Sequence, residues 1–412
     1  MTAPIVAPHV HGYRNPFNLS STTVLSFVII VLNAQLFADT AANPMGIRGL
    51  QEGFYLILII WSVLAIWTQQ LNQGAVPKLD LLVLAMVVIP MLYGAVAANL
   101  VYGQPITFGL IEERRILAGL IYFPVATMLR RGWIDFERLQ SMIAGSAAIC
   151  ALTAIGVAVD IIPALKETRT SEVFLRGEHI VVGANMIALA IPLLVARGKG
   201  HRSRLTLLLI GILVSALLFV VQSRQIMIGA LIATVFVLRG ARAMFVVSAA
   251  VAAFYLALLL VPAVRDTIEL LFTLFAEITT NQYLTESWRG LAYNHVFQTF
   301  SAGEIWGHGA LSPMWNEGFS REIGAYFFLA DIGIAGSVFR YGLFGALLYA
   351  IYFIVQFRLI RQIPKKDYRT LLTGLVVLTI VTLPVAAPLE FRGFIAGLIL
   401  AVSGHLVRES RT

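Results

Sequence analysis

Four arginines stand where an arginine is costly. Arg224 interrupts an apolar stretch in FVVQSRQIMIG, Arg115 opens one in EERRIL, Arg289 heads WRGLAYNHVF, and Arg392 sits in PLEFRG. A guanidinium at membrane depth tends to face a cavity and a partner. Its planar, permanently charged fork suits phosphate and pyrophosphate. Each of the four also has an ordinary explanation, in snorkelling of the long side chain or in a structural pair such as Arg392 with Glu390. Tyr293 follows Arg289 by one helical turn and shares its face. Groups able to take a proton lie nearby in the chain: Glu322 follows Arg321, His308 stands between two glycines, and Asp331 precedes IGIAG. His295 and His308 carry the side chain that titrates nearest neutrality. A plain loop hydrogen bond, or for Asp331 a helix cap, accounts equally for these residues. No Walker loop, dinucleotide fingerprint, serine elbow or metal-ligand spacing is present. The chemistry these residues point to is a displacement on an already activated, anionic substrate.

The elements that position them are membrane helices. Of 412 residues, 58% are hydrophobic and 13% charged, and the mean hydropathy is +0.83. A soluble protein of this size would expose massive apolar surface with such a composition. Repeated apolar runs of about 20 residues, split by short basic loops, imply an all-α, polytopic membrane protein. The single cysteine, Cys150, lies inside an apolar run, so a disulfide and a cysteine metal site are excluded. Residues 1–19 are polar and contain proline, unlike a cleavable signal. The net charge of +8 reflects Lys and Arg gathered in loops and does not require nucleic acid.

The runs fall at 21–37, 50–67, 79–102, 116–129, 139–162, 180–196, 205–221, 226–238, 244–261, 339–357, 371–387 and 391–407, giving about 12 transmembrane helices. Placing both termini in the cytoplasm puts RRGWIDFER, RGKGHRSR, RGAR and RLIRQIPKKDYR inside, as the charge bias of short loops requires. The whole chain, 1–412, then reads as a single integral membrane domain, with one large outer loop at 262–338. The four arginines fall on the outer side, against the bias that orients the chain. The spans are almost wholly apolar along their middles. Within the loop, residues 265–278 form either an interfacial helix or an extension of the ninth span. A second helix opens at Trp288, with Thr285 and Ser287 as cap-type residues and Trp288, Leu291, Ala292 and Val296 on one face. The glycine-rich GHGALSP cannot continue it, and its glycine flanks leave His308 little rigidity.

The segments ERRILAGLIYFPVATMLRRG, LRGEHIVVGANMIALAIPLLVARG, QSRQIMIGALIATVFVL, WRGLAYNHVFQTFSAGEIWGHGALS and DIGIAGSVFRYGLFGALLYAIY occur in this order. Over residues 111–352 the chain resembles the O-antigen ligase/polymerase family of bacterial envelope glycosyltransferases. That resemblance implies an inner-membrane enzyme with its active site facing the periplasm. It implies a donor glycan on undecaprenyl pyrophosphate, a glycan acceptor, contact with membrane lipids, and a chain-length regulator or flippase as partner. No cofactor or metal is implied. Ser223-Arg224 and Arg289 match the positions that hold the pyrophosphate. Ligases carry His-Asn shortly before the segment corresponding to FFLADIGIAG, and here that place reads SREIGAYFF. The departure favours a polymerase of repeat units over a ligase acting on lipid A-core. It also ranks Glu322, by position, ahead of His308 and then Asp331 as the base. A transporter is the rival class, since about 12 helices with both ends inside is common among carriers.

Overall fold

A computed structural model describes residues 20–38, 45–162, 182–197, 204–221, 223–238, 288–316, 318, 329–383, 389–390 and 392–411. The ninth expected span, the run at 265–278 and Glu322 lie outside the described residues. Among the described residues every regular element is helical. The α-helices are α1 (Ser21–Asn33), α2 (Arg48–Gln73), α3 (Lys78–Tyr102), α4 (Ile106–Glu113), α5 (Tyr122–Arg130), α6 (Phe136–Ala158) and α7 (Ala184–Arg197). They continue as α8 (Arg204–Ser215), α9 (Arg224–Leu238), α10 (Trp288–Ser301), α11 (Gly333–Gln362), α12 (Lys366–Val381) and α13 (Gly393–Glu409). A 3-10 segment, Arg114–Ile121, joins α4 to α5; α8 runs on into a π-helical turn, Ala216–Val221; a 3-10 turn, Leu329–Ile332, leads into α11.

Among the described residues five helices are long and apolar enough to cross a membrane: Arg48–Asn72, Lys78–Tyr102, Phe136–Ala158, Arg204–Val221 and Gly333–Gln362. The composition of these elements is that of a membrane protein. Leu56, Ile57, Ile60, Val63, Leu64 and Trp67 of α2 all face outward, which water would penalise and a hydrocarbon environment does not. By contrast α7 and α13 bury nearly every residue and form the centre of the main core. Local signals set the ends. Ser20 caps α1 by accepting from the Thr23 N–H, and Asp135 caps α6 by accepting from the Arg138 N–H at 2.7 Å.

The fourth expected span is not one α-helix. It is the 3-10 segment followed by α5, with α4 lying before it, and eight residues is long for 3-10 geometry. This stretch crosses α13 at very close range. A methyl group on Gly397 would lie 2.6 Å from the Gly119 carbonyl oxygen, and one on Gly393 would lie 2.9 Å from the Gly119 nitrogen. Gly393 and Gly397 are a Gly-x-x-x-Gly pair, the spacing that lets two helical backbones touch where lipid supplies no hydrophobic drive.

The interior is also less apolar than the runs suggest. Asp80, in the first turn of α3, is fully buried. Arg130 holds it with both nitrogens, at 2.5 Å (Nη2 to Oδ1) and 2.7 Å (Nη1 to Oδ2). The Tyr122 hydroxyl donates to Oδ1 at 2.6 Å and Gln69 Nε2 to Oδ2 at 2.8 Å. Arg130, expected in a loop, therefore ties α5 to α2 and α3. Removing one member of a buried pair strands the other charge at a cost of about 3–5 kcal/mol, whereas an apolar replacement of both is often neutral. Arg130→Ala should therefore lower thermal stability sharply in detergent, and Asp80→Leu combined with Arg130→Met should restore most of it. An Arg130→Ala protein that melts with the parent would show that the pair contributes nothing.

Candidate functional site

Helix α11 is broken near its start. Gly342 has φ 59° and ψ −149°, a left-handed conformation that only glycine adopts without strain. The break frees backbone groups that the helix would otherwise pair, and the segment 305–310 pairs them. The His308 N–H donates to the Phe339 carbonyl and the Gly309 N–H to the Arg340 carbonyl, both at 2.8 Å. The Leu343 N–H donates to the Ile305 carbonyl at 2.8 Å. On its other side the segment meets α3, where the Ala310 N–H donates to the Gly94 carbonyl at 2.8 Å. The Tyr93 hydroxyl donates to the Trp306 carbonyl. Gln104 clamps the exit of the segment, with Nε2 donating to the Ala310 carbonyl at 3.0 Å and Oε1 accepting from the Ser312 N–H at 2.7 Å.

This wedge fixes His308. The expectation of a loosely held imidazole fails, because the glycines on either side are pressed against backbone. A methyl group on Gly309 would lie 2.1 Å from the Ala98 nitrogen, and one on Gly307 would lie 2.4 Å from the Gly342 nitrogen. The imidazole stacks on Phe339 at 4.6 Å between centroids and 9° between planes. Its Nδ1 lies 3.2 Å from the Tyr102 hydroxyl, and its Nε2 lies 2.8 Å from Glu304 Oε2 in an ion-pair contact rather than an aligned hydrogen bond. His295 approaches the same phenyl ring at 5.7 Å. Burial first, and then the neighbouring His308, hold its pKa below the ordinary imidazole value.

Behind the wedge the side chain of Arg340 enters a buried cluster. Its Nη1 lies 3.2 Å from Glu390 Oε2 and 3.5 Å from Glu113 Oε1, and its Nη2 lies 3.8 Å from Glu112 Oε1. The Tyr341 hydroxyl donates to Glu113 Oε2 at 2.5 Å. Ser337 donates to Glu390 Oε1 at 2.5 Å, which leaves the Tyr349 hydroxyl to donate to Ser337 Oγ at 2.9 Å. Glu113 and Glu390 are each at least 95% buried, and among the described residues one guanidinium, that of Arg340, bridges them. Burial chiefly pushes the Glu113 carboxyl, at the end of α4, above the usual carboxylate range. Arg340 and Tyr341 oppose that shift, while Glu390 and Glu112 add to it. The Nε of Arg340 has no hydrogen-bond partner among the described residues. Such a cluster can hold a proton, and it can present guanidinium N–H groups to an anion.

No family model, curated protein or solved structure matches this chain.

The sequence-expected residues distribute unevenly over this geometry. Tyr293 of α10 is half-buried against a satellite core of Ala292, Val296, Leu311, Leu329, Ile332 and Phe339, and His308 stacks on Phe339 of the same core. Leu291, expected on the packed face of α10, is exposed instead. Arg115 lies within electrostatic reach of Glu112 and Arg340. Arg392 is 97% buried as the residue before α13, but its expected pairing with Glu390 does not form, since Arg340 and Ser337 hold that carboxylate. The Nε of Arg392 has no hydrogen-bond partner among the described residues. Arg224 stands at the first position of α9, Arg289 in the first turn of α10 and Asp331 in the 3-10 turn before α11; their side chains lie outside what is described. The reading of the sequence missed Arg340, Glu113, Glu390, Glu304 and Tyr102. The signal for Arg340 was legible, as a charge inside an apolar run directly before Tyr-Gly.

Two outcomes follow. Gly309→Ala should expel the wedge and expose residues 302–316 to limited proteolysis. Gly303→Ala, at φ 89° but with open space around it, should cost only about 1 kcal/mol and leave the proteolysis pattern unchanged. Equal protease resistance of both variants would refute the wedge. For Glu113, a raised folded-state pKa means that the folded chain keeps a proton the unfolded chain has lost. The associated stability is full below the usual carboxylate pKa and falls as pH rises through the raised value. Melting of Glu113→Gln should therefore lose less stability than the parent between pH 5 and 9; parallel curves would place Glu113 at its ordinary pKa.

Proposed function

We propose that this chain is a polymerase of surface-polysaccharide repeat units. It transfers a glycan from undecaprenyl pyrophosphate to an acceptor sugar hydroxyl at the periplasmic face of the bacterial inner membrane. In this reading about 12 spans place both termini in the cytoplasm and the segment 262–338 outside. The observation that supports it best is the meeting of an oriented imidazole and a buried guanidinium on either side of the same helix break: His308 and Arg340 share one backbone junction through the Phe339 and Arg340 carbonyls.

The reaction is a single inverting displacement. The acceptor oxygen bonds to the anomeric carbon as the bond from that carbon to the pyrophosphate oxygen breaks, and the electron pair leaves with the lipid pyrophosphate. The hydroxyl proton passes to a base, which contributes about 10²–10⁴-fold. Of the three candidate bases, His308 is the one whose side chain lies within the described residues, and the role is assigned to it here. Glu304 beside Nε2 would stabilise the imidazolium that forms, and Nδ1, now in contact with the Tyr102 hydroxyl, would take the proton once the acceptor hydroxyl displaces that contact. Arg224 and Arg289 meet the growing charge on the leaving oxygens, each worth on the order of 3 kcal/mol when well placed.

One observation favours a second reading, transport. Carriers build their sites on broken helices with buried charge, and α11 is broken beside the buried cluster of Arg340, Glu113 and Glu390. Purified chain in lipid nanodiscs, given a lipid-linked repeat unit, separates the two readings, because a polymerase makes a ladder of products and a carrier does not. Arg224→Ala and Arg289→Ala should abolish the ladder, with Lys a poor substitute because it lacks the two-pronged fork. His308→Gln should slow it by about 10²-fold or more, while Glu322→Gln stays within a few-fold. Full activity of His308→Gln with loss in Glu322→Gln would transfer the role of base to Glu322.

A further inference from the structure

Asn33 and Arg392 are both buried with polar atoms that find no hydrogen-bond partner among the described residues, and they ask for different things. Asn33, the last residue of α1, lines a cleft between α1, α2 and the 3-10 segment, walled by Phe54, Tyr55 and Ala118. The lining is uncharged and has enclosed room for about one water, which a neutral amide can use. An arginine is another matter. It keeps its charge even when buried, and a buried charge needs a partner of opposite sign.

Arg392 takes no part in the reaction outlined above. It is 3% exposed, none of its three nitrogens donates to a described group, and no described charge lies near enough to act on it. Its neighbour in the chain, Glu390, is already taken: Arg340 Nη1 lies 3.2 Å from Oε2, and Ser337 donates to Oε1. The Nε of Arg392 is sealed off, while the two Nη atoms keep a trace of accessible surface. The two-pronged tip can therefore be reached from outside without an internal chamber. Arg392 also stands at the head of α13, a helix of 17 residues whose first turn no side chain caps. The free N–H groups and the dipole of a helix start favour negative charge. Guanidinium and helix start thus call for the same thing at one residue, an anion from outside the chain.

The guanidinium also selects the anion. Its planar fork matches two oxygens of a phosphoryl group, and lipid headgroups bring phosphoryl groups to basic sites between membrane helices. We propose that Arg392 and the first turn of α13 form a binding site for a phosphoryl oxyanion, carried by a lipid headgroup or by free pyrophosphate. The two sources offer the same oxygens to the same fork. The site stands apart from the glycan-transfer reading and does not depend on it.

Melting of the full chain tests the site, in a neutral detergent and a phosphate-free buffer, with inorganic pyrophosphate and dioctanoyl phosphatidic acid as probes. At least one should raise the melting temperature by about 2 °C or more beyond two controls. These are chloride at matched ionic strength and dioctanoylglycerol, which has the same lipid tails without the phosphate. A response to pyrophosphate identifies a free anion, a response to phosphatidic acid alone identifies a lipid headgroup, and either upholds the site. Arg392→Met should lose the response. Arg392→Lys covers the case in which the methionine variant does not fold: it keeps the charge but not the fork, and should bind the responding probe about tenfold more weakly. No response of the parent to either probe, or a response that either variant retains in full, would overturn the proposal. A missing product ladder bears on the polymerase reading alone.

Discussion

A buried backbone group must find a partner, and in a membrane protein water is not there to supply one. The break at Gly342 opens such groups in the middle of α11, and the segment 305–310 closes them again. Each side of the junction depends on the other. Without the segment, the carbonyls of Phe339 and Arg340 would be stranded; without the break, the segment would have nothing to pair with. Glycine at 307, 309 and 342 is what lets two helices and an extended strip of chain approach to backbone contact. Rigidity at His308 is a consequence of this packing and not of the histidine's immediate sequence, which taken alone reads as the most pliable stretch of the loop.

The break also decides where charge can be buried. Arg340 lies two residues before Gly342, and its guanidinium brings together carboxylates from α4 and from the residues before α13. Burial is what chiefly raises Glu113; the second buried acid, Glu390, adds to the shift and the one bridging base, Arg340, opposes it. The Asp80–Arg130 pair behaves differently. There every carboxylate oxygen meets a donor, in a closed two-pronged arrangement backed by Tyr122 and Gln69. In that cluster the carboxylate is saturated, which suits a structural tie, although Gln69 Oε1 has no hydrogen-bond partner among the described residues. The other keeps an unmatched Nε on Arg340, with a second on nearby Arg392, which suits a group that has yet to arrive.

Much of the frame was legible in the residues. Apolar runs located α2, α3, α6, α8 with its π turn, and α11 to within a few residues, because a helix that must be long and apolar writes its length directly into the chain. The helix opening at Trp288 was legible for the same reason at smaller scale, although Leu291 faces outward. The site was less so. His308 and Tyr293 were recognisable by type, but Arg340, Glu113 and Glu390 come from three separate parts of the chain and meet only through the fold. The expected pair of Arg392 and Glu390 was a local inference, and it lost to a distant arginine with better geometry. The fourth span misled for a related reason. Its hydropathy is that of a helix, while half of it winds as 3-10 where it packs on glycines some 270 residues further along the chain.

These features share a direction. The 3-10 segment presses on α13 through Gly119, Gly393 and Gly397; the charges of Arg115 and Glu113 sit at its start; and Ala118 within it walls the cleft that holds Asn33. An α-helical course for residues 114–121 would rotate successive side chains by about 100° each rather than the 120° of the tighter helix. Over eight residues that difference accumulates to nearly half a turn. Ala118, four steps into the segment, would swing by about 80° from the cleft that it now lines, while Arg115 at its start would move by only about 20°. The close glycine crossing therefore does more than pack two elements: it joins the start of α13, beside Arg392 and Glu390, to a segment that begins at the charged cluster and lines the neutral cleft at its middle. Substitutions at Gly393 or Gly397 that part the two backbones would therefore be felt at the cluster and at the cleft together.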